Sequence, residues 1–186
     1  MFNIIFVCHG NICRSPMAEF VMKDLVHKAG RDADFYIESA ATSTEELGNH
    51  VYPPARRKLA EHGISCSGKT ARQLQRNDYD RFDLLVGMDE WNIRNMHHIC
   101  GGDPEGKIVR LLDLTRRPGD VADPWYTGDF DATWRDVSEG CHGLFRRILT
   151  DPDMAKELSA YVPDDDETTD YKYKNSGINY DDFPRG

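Results

Sequence analysis

Apolar positions alternate along this chain between two patterns. Short continuous runs occur at Phe2–Val7, Phe35–Ile37, Phe82–Met88 and Ile108–Leu112. Such runs predict strands buried on both faces. Between them, apolar residues recur at helical spacing, as in Met17, Phe20, Val21 and Leu25. Ser15 is placed to cap that helix, Pro16 to open it and Gly30 to stop it. A second helix is predicted from Pro54 to Ala60, closed by Gly63, with His62 a surface residue of its last turn. A third runs from a cap at Asp89 through Met96. The adjacent His97 and His98 point apart and read as surface or interface residues. A fourth covers Ala132 to about Leu158, broken near Pro152. Thr42–Pro54 and Thr115–Gly128 read as loops, each holding two prolines.

Strands and helices therefore alternate four times. The fold class this predicts is α/β: a single three-layer α/β/α domain with a four-stranded parallel sheet, doubly wound and flavodoxin-like. In such sheets ligands bind beyond the carboxyl ends of the strands. Cys8 stands just past the end of the first. The domain is expected to occupy residues 1–160. Residues 161–186 form an acidic, tyrosine-containing tail, with Asp164-Asp165-Asp166-Glu167 near its front, and are expected to be mobile.

Composition narrows the classes. At 186 residues, 39% of them hydrophobic, the chain suits one globular domain. No apolar run approaches the roughly 18–20 residues of a membrane span, and no basic region precedes Phe2–Val7 as in a signal peptide. A cytoplasmic protein without membrane contact is expected. The formal net charge of −9 argues against a nucleic-acid binder. The five cysteines, Cys8, Cys13, Cys66, Cys100 and Cys141, are odd in number and contain no CxxC pair. Neither a disulfide framework nor a metal site is expected.

The segment Cys8-His9-Gly10-Asn11-Ile12-Cys13-Arg14-Ser15-Pro16 carries the chemistry. A thiol becomes a strong nucleophile as its thiolate, which a helix N-terminus and a nearby arginine favour. The loop between Cys8 and Arg14 can turn its backbone N–H groups inward as an anion nest, with Gly10 free to take the φ values this needs. Arg14 offers a planar fork to two oxygens of a phosphate-like group. Ser15 can hydrogen-bond Cys8, and Asn11 can brace the loop. The bare spacing of thiol and guanidinium says little, since a strand-end cysteine and a surface arginine would produce it too. The coincidence of strand, Gly, Asn, Arg-Ser-Pro and helix points to attack on an oxyanion. Asp123, on a proline-bounded loop flanked by aromatics, is a candidate acid for the leaving group, although a capping aspartate would look the same.

Val7–Pro16 closely resembles the signature of the low-molecular-weight protein tyrosine phosphatases. Asp123-Pro124-Trp125-Tyr126 resembles the family's general-acid loop. Ser39-Ala40-Ala41-Thr42, Ala71-Arg72-Gln73 and Met88-Asp89-Glu90 resemble family segments in the same order. The resemblance covers about residues 3–150 and not the tail. It implies a two-step phosphoryl transfer in which Cys8 attacks phosphorus, Arg14 and the loop bind the phosphoryl oxygens, and Asp123 serves as acid and then base. His9, Gly10, Asn11, Ile12, Cys13 and Ser15 complete the phosphate-binding loop. Trp125 and Tyr126 wall the substrate pocket. Cys13 is a candidate partner for Cys8 in a reversible disulfide. No cofactor is implied. The partners are tyrosine-phosphorylated proteins or peptides, with inorganic phosphate as product, and the protein is expected to act as a monomer.

Three positions depart from the family pattern. His9 stands where leucine is frequent. Glu45 stands where an aromatic often flanks the substrate ring. Lys69 replaces a histidine two residues before Ala71. These changes bear on substrate preference more than on the reaction. A protein-arginine phosphatase on the same scaffold is the nearest alternative. Its members tend to carry threonine where this chain has Ile12, an apolar residue that leaves room for an aromatic ring. A thiol-linked arsenate reductase would need further cysteines in relay near the site. That chemistry would also leave Asp123 without a purpose, and the intact set of Cys8, Arg14 and Asp123 argues against a silent phosphoprotein-binding module.

Overall fold

A computed structural model of the chain describes residues 1–151. Four strands, β1 (Phe2–Cys8), β2 (Phe35–Ala41), β3 (Leu84–Gly87) and β4 (Ile108–Arg110), form one parallel sheet in the order β2-β1-β3-β4. Alternate side chains of β1 serve two cores. Phe2, Ile4, Phe6 and Cys8 join the core beneath helices α1 (Arg14–Lys28) and α6 (Phe130–Thr150). Ile5 and Val7 face the other layer, formed around α3 (Asp78–Arg81) and α4 (Glu90–Cys100). A strand buried on both faces has no solvent side, so β1 is apolar at successive positions. The three layers and the doubly wound sheet agree with the expectation. Among the described residues no helix is long and apolar enough to cross a membrane. The expected tail and the predicted helical segment beyond Asp151 lie outside the described residues.

Strand order places the site. β1 connects to β2 on one side and has β3 on the other, so the chain switches direction of travel at the β1/β3 boundary. Crevices form there, beyond the carboxyl ends of the strands. Cys8 ends β1, and Met88-Asp89 follow β3 directly.

Several predicted boundaries move, each for a tertiary reason. α1 begins at Arg14 with Cys13 as its cap residue, so Ser15 is not the N-cap. The Ser15 hydroxyl lies instead 3.1 Å from Cys8 Sγ. Pro16 is then the third helical residue, still within the turn whose N–H groups lack intrahelical partners. The Ile12 carbonyl that a residue-16 N–H would have used accepts from Tyr52 N–H at 2.8 Å. β2 runs on to Ala41, past its apolar start, because it pairs with β1 along its whole length. α2 (Pro53–Glu61) starts one residue before Pro54, and α4 continues beyond Met96 to Cys100, ended by Gly101 in the left-handed region at φ 81°. β4 stops at Arg110, and Leu111–Leu114 coil into a 3₁₀ turn. Leu111 is wedged under Gly140 of α6, where a Cβ would lie 2.4 Å from its Cγ. The expected Thr115–Gly128 loop contains a short helix, α5 (Pro124–Thr127). α6 starts at Phe130, capped by Asp129, whose Oδ1 accepts from Ala132 N–H at 2.9 Å. His62 is exposed as expected, but its ring stacks on Trp134 with centroids 3.8 Å apart.

Candidate active site

Cys8 sits at the end of β1, 3% exposed, at the foot of the loop that leads into α1. Two donors address its sulfur. The Asn11 backbone N–H donates to Sγ at 3.3 Å, and the Ser15 hydroxyl stands 3.1 Å away. Asn11 adopts φ 57°, the only non-glycine residue with positive φ among the described residues. Asparagine tolerates this region better than most side chains. Gly10, expected to supply the unusual φ, does not. Its missing side chain matters for another reason: a Cβ there would come within 3.2 Å of Glu46 Cγ.

A buried relay holds the Ser15 hydroxyl beside Cys8. Asn11 Oδ1 accepts from Arg72 N–H at 3.2 Å, which turns the amide nitrogen inward. Its two hydrogens go to Ser15 Oγ and Ser39 Oγ, both at 2.8 Å. Ser39 donates onward to Glu19 Oε2 at 2.5 Å. Glu19 is 3% exposed and is held by Lys69 at 3.1 Å and Lys23 at 2.6 Å. An ionised carboxylate only accepts, so Ser39 must donate to it and accept from Asn11. Ser15 Oγ likewise accepts from Asn11, and its own proton has two acceptors within reach, Cys8 Sγ at 3.1 Å and the more distant Ala40 O at 3.4 Å. This donor set stabilises a thiolate or a departing sulfur. Lys69, one of the departures from the family pattern, thus serves the relay from behind, also donating to Ser39 O at 2.9 Å. Glu19 carried no signal in the sequence and Ser39 only that of a family-like segment, while Lys69, expected to bear on substrate preference, contacts the relay instead.

Arg14 is 2% exposed and bridges two carboxylates. One terminal nitrogen donates to Asp89 Oδ2 at 2.6 Å and to Val121 O at 3.3 Å. The other donates to Asp123 Oδ2 at 2.6 Å. Burial opposes its charge, but Cys8, Asp123 and Asp89 outweigh it and push the guanidinium pKa up. The second oxygen of Asp123 accepts from Trp125 N–H at 3.0 Å, capping α5. Asp123 therefore caps α5 through one oxygen and meets Arg14 through the other. Asp89 likewise splits its oxygens, Oδ1 accepting from Asn92 N–H at 2.7 Å as the cap of α4. Sequence reasoning found Asp89 as a cap and missed its hold on Arg14.

Ile12 and Cys13 are buried with Ala71 under Tyr52 and Phe130. Tyr52 stands 5.4 Å from Trp125 and 6.2 Å from Phe130, centroid to centroid. Trp125 and Tyr126 remain 58% and 86% exposed. An aromatic shelf thus runs from the loop to the Asp123–Tyr126 segment, and Tyr52 and Phe130 are members of it that the sequence did not single out. His9 and Glu45 meet at the rim, with His9 Nε2 3.1 Å from Glu45 Oε2. Burial, then the charges of Cys8 and Asp123, push the Cys13 thiol up to about 12.

Cys66 and Cys100 are free and buried, in cores on opposite faces of the sheet. Cys141 is free and buried beside Ala18 O, 3.6 Å away. Among the described residues no group of three or more His, Cys, Asp or Glu is placed to hold a metal ion. Two open grooves of about 530 and 500 Å³ lie away from Cys8, lined by none of the loop residues. Converging donors mark this site.

Comparison with known proteins identifies the family. The family model described as low molecular weight phosphotyrosine protein phosphatase matches residues 3–156. The low molecular weight protein-tyrosine-phosphatase YfkJ of Bacillus subtilis is 37% identical over 150 residues, covering 80% of this chain and 96% of that protein. The crystal structure of YfkJ matches with a TM-score of 0.78, covering 80% of this chain and 95% of that one. That of SP-PTP, a low molecular weight protein tyrosine phosphatase from Streptococcus pyogenes, is 37% identical with a TM-score of 0.73, covering 81% and 95%. DARP, a drosophila arginine phosphatase, is 26% identical with a TM-score of 0.72, covering 80% and 98%. The chain belongs to the low molecular weight phosphotyrosine protein phosphatase family.

Proposed function

We propose that this protein is a protein-tyrosine phosphatase that hydrolyses phosphotyrosine and small aryl phosphates through a cysteinyl-phosphate. One observation carries the reading: Arg14, buried beside Cys8, holds the carboxylate of Asp123 at 2.6 Å. Nucleophile, phosphate-binding fork and acid thus converge on one point.

In the first step the phosphoryl group binds between the loop and Arg14. Its oxygens replace Asp123 on one arm of the fork, while Asp89 keeps the other in place. Cys8 sulfur attacks phosphorus, the bond from phosphorus to the phenolic oxygen breaks, and Asp123 supplies the proton that oxygen needs. Arg14 and the loop N–H groups take up the charge on the equatorial oxygens. In the second step Asp123 accepts a proton from water as the water attacks phosphorus. The P–S bond breaks, inorganic phosphate forms, and Cys8 leaves as a thiolate with the Ser15 hydroxyl donating to it. His9, Gly10, Ile12 and Cys13 shape the loop. Trp125 and Tyr126, with Glu45 across the rim, contact the substrate.

The shelf of Ile12, Tyr52, Trp125 and Phe130 supports an aromatic leaving group. The arginine phosphatase among the structural relatives marks the alternative, phosphoarginine, on the same scaffold. Arsenate reduction is disfavoured by the separation of Cys66 and Cys100 across the sheet. The catalytic domain spans residues 1–160 with an appended acidic tail at 161–186. The protein acts in the cytoplasm as a monomer on phosphorylated proteins, without cofactor, nucleic acid or membrane. Matched phosphotyrosine and phosphoarginine peptides test the reading. Faster turnover of phosphotyrosine is expected, and preferential turnover of phosphoarginine would overturn it.

A further inference from the structure

The segment after β2 is laced to the start of the phosphate-binding loop. Thr42 N–H donates to Cys8 O at 2.8 Å, and Ser43 N–H to His9 O at 3.0 Å. This fixes two successive carboxylates over the loop. Glu46 lies against Gly10 and accepts from Asn49 Nδ2 at 2.7 Å, so its charge is partly occupied. Glu45 is different. Its side chain is 71% exposed, and the basic group facing it is His9, itself 54% exposed, at 3.1 Å. Exposed pairs of this kind are weak and exchange readily. Arg14 does not offset these acids towards solvent, being buried and paired twice.

We propose that the His9–Glu45 pair reads the charge of residues beside the phosphotyrosine and selects substrates with a Lys or Arg there. The inference rests on the phosphatase reading above. A phosphotyrosine anchored at Cys8 and Arg14 brings its sequence neighbours, about 4 Å of chain per residue, across this rim. A flexible basic side chain can then take the Glu45 carboxylate from His9. An acidic neighbour meets Glu45 and Glu46 instead. Complementary charge at an exposed rim governs selectivity more than gross affinity.

The test uses three phosphotyrosine peptides, identical except for Lys, Ala or Asp on both sides of the phosphorylated residue. For the full-length protein, kcat/KM is expected to fall from Lys to Ala to Asp, by about three- to tenfold overall at low salt. The series should flatten between about 0.05 M and about 0.5 M salt, where screening shortens to a few Å. Glu45→Gln should flatten it at low salt, Glu45→Lys should reverse it, and His9→Arg, a fixed cation on Glu45, should weaken it. A merely structural role for Glu45 would slow all three peptides alike. A flat or reversed series in the unaltered protein, or one indifferent to Glu45→Gln and Glu45→Lys, overturns the inference while the Ala peptide still turns over. Failure to hydrolyse any of the three overturns the phosphatase reading and the inference together.

Discussion

The two halves of the site are built in opposite ways. At the floor, Cys8, Asn11, Arg14 and Ser15 are all nearly inaccessible, and their side chains are held by buried polar partners. At the rim, Glu45, Trp125 and Tyr126 project into solvent, Glu45 beside His9 and Trp125 against Tyr52. A buried polar group left without a partner costs about 1–3 kcal/mol, so the floor tolerates few alternatives. An exposed one costs little, so the rim is free to vary. In the proposed mechanism the reaction therefore resides in the part that cannot change cheaply and substrate contact in the part that can. This chain's departures follow the division. His9 and Glu45 lie on the rim, whereas Lys69, which touches the floor's relay, still supplies a donor.

Variants at the floor should lose the most. Cys8→Ser keeps the relay but removes the thiolate, and para-nitrophenyl phosphate turnover should fall by about 10⁴-fold or more. Retained turnover would place the nucleophile elsewhere. Asp123→Asn preserves shape while removing the proton. Poor leaving groups should slow by about 10²–10⁴-fold and good ones much less. Equal losses across a series of aryl phosphates would remove Asp123 as the acid. Asn11→Ala strands Ser15, Ser39 and the Arg72 N–H at once. A loss of roughly 10- to 100-fold in kcat is expected, together with a lower denaturation midpoint. Unchanged kcat would mean that the relay does not orient the Ser15 proton.

The rim should answer in KM. Trp125→Ala removes an exposed ring that stands on Tyr52. KM for aryl phosphates should rise by about tenfold or less, with kcat little changed, since partly exposed aromatics contribute about a kcal/mol. A larger fall in kcat would show that Trp125 also holds α5, and through it Asp123, in place.

The same division explains how much could be read from the chain alone. The Cys8–Pro16 loop was legible because its chemistry is local: nucleophile, turn and cation lie within one short segment. The sheet was legible because doubly buried strands appear as apolar runs. The missing parts all depend on partners distant in sequence. Glu38–Ala41 does not look like a strand, yet β1 pairs with it and Arg72 takes up Glu38 at 2.6 Å. Ser15 before Pro16 looks like a cap, but Cys8 and Asn11 claim its hydroxyl. Glu19 and Lys69 carry no local signal of a shared function. Tyr52 and Phe130 form one shelf only after α2 and α6 pack together.

The smallest effect on turnover belongs to Cys13, and it sharpens the contrast within the floor itself. Two thiols share this loop, but their surroundings differ. Cys8 receives donors from Asn11 and Ser15. Cys13 is enclosed by Ile12, Ala71, Tyr52 and Phe130, and burial followed by the charges of Cys8 and Asp123 pushes its pKa up to about 12. A raised thiol pKa leaves the protonated form dominant at every lower pH, and the thiolate grows about tenfold for each pH unit towards that value. Near pH 8 iodoacetamide should therefore modify Cys8 and inactivate the protein while leaving Cys13 intact. In the Cys8→Ser variant the charge of Cys8 is gone but burial remains, so Cys13 should still label more slowly than free cysteine and speed up as pH rises. Mass spectrometry of the labelled peptides reads both. Equal labelling of the two thiols near neutral pH would mean that Cys13 reaches its thiolate readily, and that the enclosed side of this loop is as open to chemistry as the catalytic one.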